Sequence, residues 1–145
     1  GRLVIRSDPD VARWVCKKLH ASCSEKPQGI GLERNGELVV GVCYDNWNGR
    51  SIMAHIVVEG RMTPTYLYAI YHYPFEYLGV DKIICSIAQS NIESIRLCSK
   101  MGFEREATLS DAHPDGDIYL YSLNRSKCRF TGERFGKIFR RACTA

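Results

Sequence analysis

Hydrophobic and polar residues follow two different spacings along the chain, and the changes between them predict an alternating order of strands and helices. Short runs rich in β-branched and aromatic residues predict strands, which cover residues 3–6, 29–34, 37–44, 51–59, 82–88, a segment from 104, and 117–123. Apolar residues three or four apart predict helices, which cover residues 9–21, a segment from 64, and 92–101. The order β-α-β-β-β-α-β-α-β-β indicates an α/β fold with a mixed sheet in a single domain.

Cap and turn residues mark the ends of several of these elements. Asp8 before Pro9 is typical of a helix start, and Asn35-Gly36 is the strongest short signal for a hairpin. Pro74 has no N–H, so it predicts a kink or break near residue 73 of the second helix. The polar stretch 109–117 predicts a turn between the last two strands.

The composition fits one globular domain. The chain has 145 residues, of which 45% are hydrophobic and 25% are charged. No apolar run approaches the roughly 20 residues of a membrane span, and the first residues do not resemble a secretory segment. We therefore expect a cytoplasmic protein without a membrane partner.

The cysteine spacing does not predict a metal site or a disulfide framework. No two cysteines form a Cys-x-x-Cys pair, and no histidine lies at zinc-site spacing from them. We therefore interpret the cysteines as reduced thiols and expect no metal. His113 lies between Asp111 and Asp115, but this turn-like segment has no matched ligands elsewhere in the sequence.

The end of the chain is basic. Residues 124–145 carry seven basic residues against one acidic residue, while the whole chain has a net charge of only +4. We expect this segment to be a helical extension that packs on a domain formed by residues 1–123. Contact with nucleic acid is an alternative function for the same charge. The aromatic-rich kinked helix and this extension also lead us to expect a homodimer.

Residues 91–106 are the most informative segment. Asn91 is a good N-cap after an apolar strand, and Ser94 lies three residues further on. Gly102 fits the left-handed position after a helix end, and Phe103 then packs back against the last turn. A strand followed by an Asn-led helix that ends in Lys-x-Gly-Phe, and then by Glu104, resembles the GCN5-related N-acetyltransferase (GNAT) family. Residues 119–130 resemble a phage- and prophage-encoded subgroup of that family.

The resemblance implies that the protein uses acetyl-CoA as co-substrate. It places the pantetheine arm along the strand that ends at Glu59, and the pyrophosphate at the start of the following helix. The implied cofactor-binding residues are Ile56, Val57, Val58, Arg61, Met62, Thr63, Thr65, Asn91 and Ser94. The loop at 60–66 lacks the paired glycines of the family, Pro64 offers no N–H, and Thr63 can cap the helix itself.

The candidate catalytic residues are Glu59, His55 and Cys98. Glu59 is the first choice for the base that deprotonates the amine, because burial at the strand end would raise its pKa. His55 lies on the same strand face and is the second choice. Cys98 occupies the position of the acidic Tyr of the family, although a Cys on an apolar helix face also fits a core role.

Two classes of function follow from this interpretation. The first is an acetyl-CoA-dependent N-acetyltransferase that modifies a primary amine of a small molecule or a protein. The alternative is a catalytically silent module of the same fold that serves binding or assembly, in a phage particle or on a host target. Modification or binding of nucleic acid through the basic end is a third hypothesis.

Overall fold

A computed structural model describes residues 1–132 of the protein. Its strands and helices are β1 (Leu3–Ser7), α1 (Pro9–Lys18), β2 (Gln28–Arg34), β3 (Glu37–Asp45), β4 (Ser51–Val58), α2 (Pro64–His72), β5 (Lys82–Ala88), α3 (Ile92–Lys100), β6 (Glu104–His113) and β7 (Gly116–Asn124). A π-helical turn (Tyr73–Tyr77) continues α2, and a 3₁₀ turn (Arg125–Lys127) follows β7. The predicted order of strands and helices is confirmed.

The strands form one mixed sheet in the order β1-β2-β3-β4-β5-β7-β6. Neighbouring strands are antiparallel except β4 and β5, which are parallel and lie at the centre. Side chains alternate between the two faces of the sheet. One face packs on α1, and the opposite face forms the main core with α2 and α3.

Helix α1 lies unusually close to the sheet because two strand residues under it have no side chain. A Cβ atom at Gly29 would lie 2.6 Å from the backbone N of Ala12, and one at Gly41 would lie 2.8 Å from a methyl of Val15. Both contacts are closer than real Cβ atoms reach, so these glycines permit the close approach. The helix begins as predicted, with Asp8 accepting a hydrogen bond from the N–H of Val11.

The hairpin between β2 and β3 turns at Asn35-Gly36, as predicted, with both residues at positive φ. The predicted turn at 109–117 is wrong, because β6 continues to His113 and β7 already begins at Gly116. Strand β6 is an edge strand whose residues are almost all exposed. Its polar residues face water and do not interrupt the strand. Because an exposed strand can be as polar as a loop, the sequence of this stretch suggested a turn.

Pro74 widens the helix instead of ending it. The N–H of Leu78 bonds the carbonyl of Tyr73, which is the spacing of a π-helix. Because Pro74 cannot donate to the carbonyl of Ile70, that carbonyl receives the buried hydroxyl of Tyr44 from β3 instead. Burial raises the pKa of Tyr44 well above its usual range, so the hydroxyl stays a donor.

The first residues of the basic segment are part of the fold. The guanidinium of Arg125 donates to the carbonyls of Val80 and Phe75, and Phe130 is buried with its ring stacked on Tyr71 at 4.9 Å. The expected helix over 124–145 lies mostly outside the described residues. Among residues 1–132, no helix combines the length and apolar character needed to cross a membrane.

The bond between Tyr44 and Ile70 gives a stability prediction. We expect Tyr44→Phe to lower the free energy of unfolding by about 1–3 kcal/mol, because a buried carbonyl loses its donor. Urea denaturation measures the change. Tyr77→Phe is the control, since Tyr77 is 75% exposed and should change stability little. Equal stability of wild type and Tyr44→Phe would contradict the role given to this bond.

Candidate active site

The candidate site is a cleft that opens where β4 and β5 separate. Their pairing covers only Ser51 with Lys82, Ile52 with Ile83 and Met53 with Ile84. Beyond this point β4 stays paired with β3 as far as Val58, while β5 stays paired with β7 as far as Ala88. The facing edges of the two strands are therefore free to offer backbone groups to a ligand.

One part of the cleft, the α3 half, runs along the open edge of β4. It has a volume of about 560 Å³ and is bounded by β4, α3 and the end of α1. Its walls carry basic and acidic side chains above an apolar floor. They are lined by Lys18, Leu19, Ile56, Val57, Val58, Glu59, Asn91, Glu93, Ser94, Arg96, Leu97 and Lys100.

The other part, the histidine half, lies deeper between β4 and β5 and has a volume of about 360 Å³. It shares Leu19, Ile56, Asn91 and Ser94 with the α3 half, so the two parts form one continuous cleft. Three of the four histidines of the chain line this half, namely His20, His55 and His113. Such a concentration of imidazoles suits proton transfer at neutral pH.

Each of these histidines is placed by local structure. His20 ends α1 in the left-handed conformation, with φ of 54°. The Nδ1 of His113 accepts a hydrogen bond from the N–H of Asp115 at 3.1 Å. The Nε2 of His55 lies 3.5 Å from an oxygen of Asp45, which is on the neighbouring strand β3.

Glu59 has a different environment from the one expected. Its carboxylate is 45% exposed and forms an ion pair with Lys18 at 3.0 Å. The expected burial at the strand end is therefore wrong, because Glu59 lies one residue beyond β4 and faces the open end of α1. His55 is more enclosed than Glu59, and it also has a carboxylate partner.

Comparison with solved structures shows which fold surrounds this cleft. Spermidine N-acetyltransferase SpeG from Vibrio cholerae, in complex with CoA and spermine, superposes with a TM-score of 0.67 at 17% identity, covering 86% of this chain and 96% of that chain. Its dodecameric form in an intermediate state gives 0.66 at 17% identity, with coverage of 86% and 95%. A protein described as a probable acetyltransferase gives 0.65 at 19% identity, with coverage of 86% and 93%.

The chain has the GNAT acetyltransferase fold. At these identities the likeness concerns the fold alone, and the phage-encoded subgroup stays a prediction from residues 119–130. No protein-family model matches the sequence, and no curated protein gives a significant sequence match.

The start of α2, where the GNAT resemblance implies a pyrophosphate site, satisfies most of its own backbone groups. The hydroxyl of Thr63 accepts from the N–H of Tyr66 at 3.1 Å, and the carbonyl of Thr63 accepts from Leu67 at 3.0 Å. Pro64 has no N–H, so Thr65 is the one residue among 64–67 whose N–H takes no part in this cap. The sequence-based concern that this helix caps itself is therefore confirmed.

The structure brings together most of the residues that the sequence singled out. The residues that line the cleft are His55, Ile56, Val57, Val58, Glu59, Asn91, Ser94 and Cys98. Arg61, Met62, Thr63 and Thr65 lie just beyond it, between the end of β4 and the first turn of α2. Met62 packs against the main core, so its side chain has a structural contact.

Cys98 lies at the inner wall of the histidine half and is only 2% exposed. It is hydrogen-bonded to Cys85 of β5, and this bond lowers the pKa of Cys98 and raises that of Cys85, while burial opposes ionisation of both. Cys98 therefore has the core position that was considered for it, and its role as an acid stays a prediction.

Three residues of the site were not found from the sequence. Lys18 and His20 line the cleft, and Asp45 contacts His55. The register of β3 with β4, which sets Cys43 opposite His55, is the signal that would have found Asp45. That register depends on the turn at residues 46–50, which has no simple hairpin pattern.

The cap at Thr63 gives a second stability prediction. We expect Thr63→Ala to lower the free energy of unfolding by about 1 kcal/mol, the usual effect of removing an N-cap side chain. Urea denaturation measures this change. Thr65→Ala is the matched control, because Thr65 makes no cap bond in the same turn. Equal losses for both variants would show that the cap contributes nothing specific.

Proposed function

We propose that the protein is an acetyl-CoA-dependent N-acetyltransferase that modifies a primary amine of a small molecule or a protein. The observation that carries this proposal is the separation of β4 from β5 after three residue pairs, with a groove along Ile56, Val57 and Val58. A ligand chain containing amides can add to such a free edge as a further strand would. The pantetheine arm of acetyl-CoA has this chemistry.

The cofactor half of the proposed site is the α3 half. Asn91 and Ser94 stand across the groove from β4, at the positively polarised start of α3. The pyrophosphate would lie near the start of α2, where Arg61 supplies charge and Thr65 supplies an N–H. Thr63 serves mainly as the cap, so Arg61 carries more of the phosphate binding than in a glycine-rich loop.

The acceptor half is the histidine half. A primary amine must lose its proton before it can attack the thioester carbonyl, and His55 is the proposed group that accepts this proton. Asp45, 3.5 Å away, would orient the imidazole and stabilise its charged form. Glu59 is the second candidate, and its ion pair with Lys18 competes with that role.

Acetyl-CoA supplies a thioester whose C–S bond breaks as the new C–N bond forms. The departing thiolate needs a proton, and Cys98 at the inner wall of the cleft is the proposed donor. The nitrogen loses its second proton to water in the open cleft as the amide forms, and this proton would restore the Cys98 thiol. The amine proton held by His55 returns to solvent along the same opening.

A second candidate function is a catalytically silent binding module of this fold. Two observations favour it, namely the self-capped start of α2 and the packing of Cys98 in the core. It differs from the enzyme proposal in one measurable property, since it does not require acetyl-CoA to bind. The amine substrates of the Vibrio cholerae neighbour belong to that protein, and the acceptor here is proposed only as a primary amine.

Thermal unfolding with acetyl-CoA tests the proposal. At 100 times the dissociation constant, a ligand that binds only the folded state stabilises it by about 2.7 kcal/mol. We expect Arg61→Ala to weaken binding about tenfold, because a charge-assisted hydrogen bond contributes roughly 1.5 kcal/mol or more. Arg13→Ala is the control, since Arg13 is exposed on α1 and pairs with Asp10. No stabilisation at millimolar acetyl-CoA would favour the silent module.

The choice of base is tested by steady-state kinetics with a panel of primary amines. We expect His55→Ala to lower kcat by roughly 100-fold or more, the usual contribution of a positioned base, while the affinity for acetyl-CoA stays unchanged. His72→Ala is the control, because His72 does not line the cleft. A large loss in Glu59→Gln with little loss in His55→Ala would reassign the base to Glu59.

A further inference from the structure

Three cysteines that are far apart in the sequence meet on the α1 side of the sheet. They are Cys16 in α1, Cys23 in the loop after it and Cys43 in β3. Their sulfur atoms all lie within 4.8 Å of one another, and Cys16 and Cys43 are buried while Cys23 is exposed. The cluster lies outside the proposed reaction path.

The local fold explains why these thiols converge. The N–H of Ala21 bonds the carbonyl of Cys16 at 2.9 Å and that of His20 bonds Lys17, so α1 ends in a Schellman turn with His20 in the left-handed conformation. The turn reverses the chain and returns Cys23 toward α1. The missing side chain at Gly41 lets α1 settle close enough for Cys16 to reach Cys43.

A negative charge lies next to this cluster. Asp45 lies two residues after Cys43 on the same strand face, and its Oδ1 has no hydrogen-bond donor among residues 1–132. Its oxygens do not belong to the set of ligand atoms that lie within 4.8 Å of one another. Its charge nevertheless favours a cation at the neighbouring sulfur atoms.

We propose that Cys16, Cys23 and Cys43 bind a zinc ion, with a water molecule in the fourth position. Thiolate ligands in a four-coordinate arrangement are typical of zinc. Binding requires the three thiols to lose their protons to solvent, so the metal replaces three S–H protons. No electron transfer is involved.

The site would fix one wall of the acceptor half. The loop from residue 19 to residue 27 joins α1 to β2, and its first residues Leu19, His20 and Ala21 line the histidine half of the cleft. A metal held by Cys23 on this loop and by Cys43 on the sheet would tie the loop to β3. Asp45 contacts His55 and lies two residues after Cys43, so the proposed site is adjacent to the proposed base.

Cobalt titration tests the proposal without any enzymatic readout. Full-length protein is reduced, freed of metal with a chelator and titrated with Co²⁺, whose bonds to thiolates give ligand-to-metal charge-transfer absorption. We expect saturation at one equivalent and displacement by Zn²⁺. Cys23→Ser should bind at least about tenfold more weakly with reduced absorption.

The matched control is Cys128→Ser, a thiol outside the cluster, which should bind Co²⁺ like the wild type. Cys23 is exposed, so Cys23→Ser should fold, and circular dichroism verifies this. Hydrogen exchange gives an independent readout, because Zn²⁺ should slow exchange of amides 19–26 in the wild type but not in Cys23→Ser. The proposal is overturned if no absorption appears at one equivalent, if Cys23→Ser binds like the wild type, or if a Cys16–Cys23 disulfide forms and the reduced protein takes up no metal.

Discussion

The early end of pairing between β4 and β5 is the constraint on which the rest of the site depends. Each strand keeps its other neighbour, since β4 remains bonded to β3 and β5 to β7. The sheet therefore loses hydrogen bonds on only one side of each strand when it opens. The backbone groups left free at this opening are costly inside a protein unless water or a ligand satisfies them. A cleft at this place is thus built to receive a polar chain.

Much of the fold could be predicted from the sequence because its signals are local. The capped start of α3 at Asn91, the Asn35-Gly36 hairpin and the start of α1 at Asp8 all depend on residues within one turn of each other. The π-helical turn after α2 was not predictable, because the partner that allows it is the Tyr44 hydroxyl from a distant strand. Likewise β6 could not be recognised as an exposed edge strand from its polar sequence alone.

The candidate site was predictable along β4 and at the start of α3, but not across the cleft. The resemblance to the GNAT family implied Ile56, Val58 and Asn91, and these residues line the cleft, while their contact with a cofactor stays a prediction. The register between β3 and β4 and the reversal after α1 are properties of tertiary structure. They decide that Asp45 meets His55 and that Cys16, Cys23 and Cys43 converge. The spacing of these cysteines in the sequence did not predict a metal site, because only the tertiary structure brings them together.

The start of α2 shows how stability and ligand binding compete for the same backbone groups. Thr63 accepts a hydrogen bond from an N–H that a glycine-rich loop would leave for a phosphate. This cap stabilises the free protein but leaves fewer N–H donors for the cofactor. Affinity then depends more on the open edge of β4 and on Arg61. The proposed metal acts at the opposite wall, where the loop after α1 lies against β3.

The most direct test of this account is an amide chemical-shift titration of the isotope-labelled protein with CoA. The account predicts saturable shifts that are largest for Ile56, Val57 and Val58 on the free edge of β4, with Asn91 and Ser94 next. Residues 104–109 of the edge strand β6 should be unaffected. An absence of shifts along β4 at saturating CoA, or larger shifts elsewhere on the surface, would contradict it.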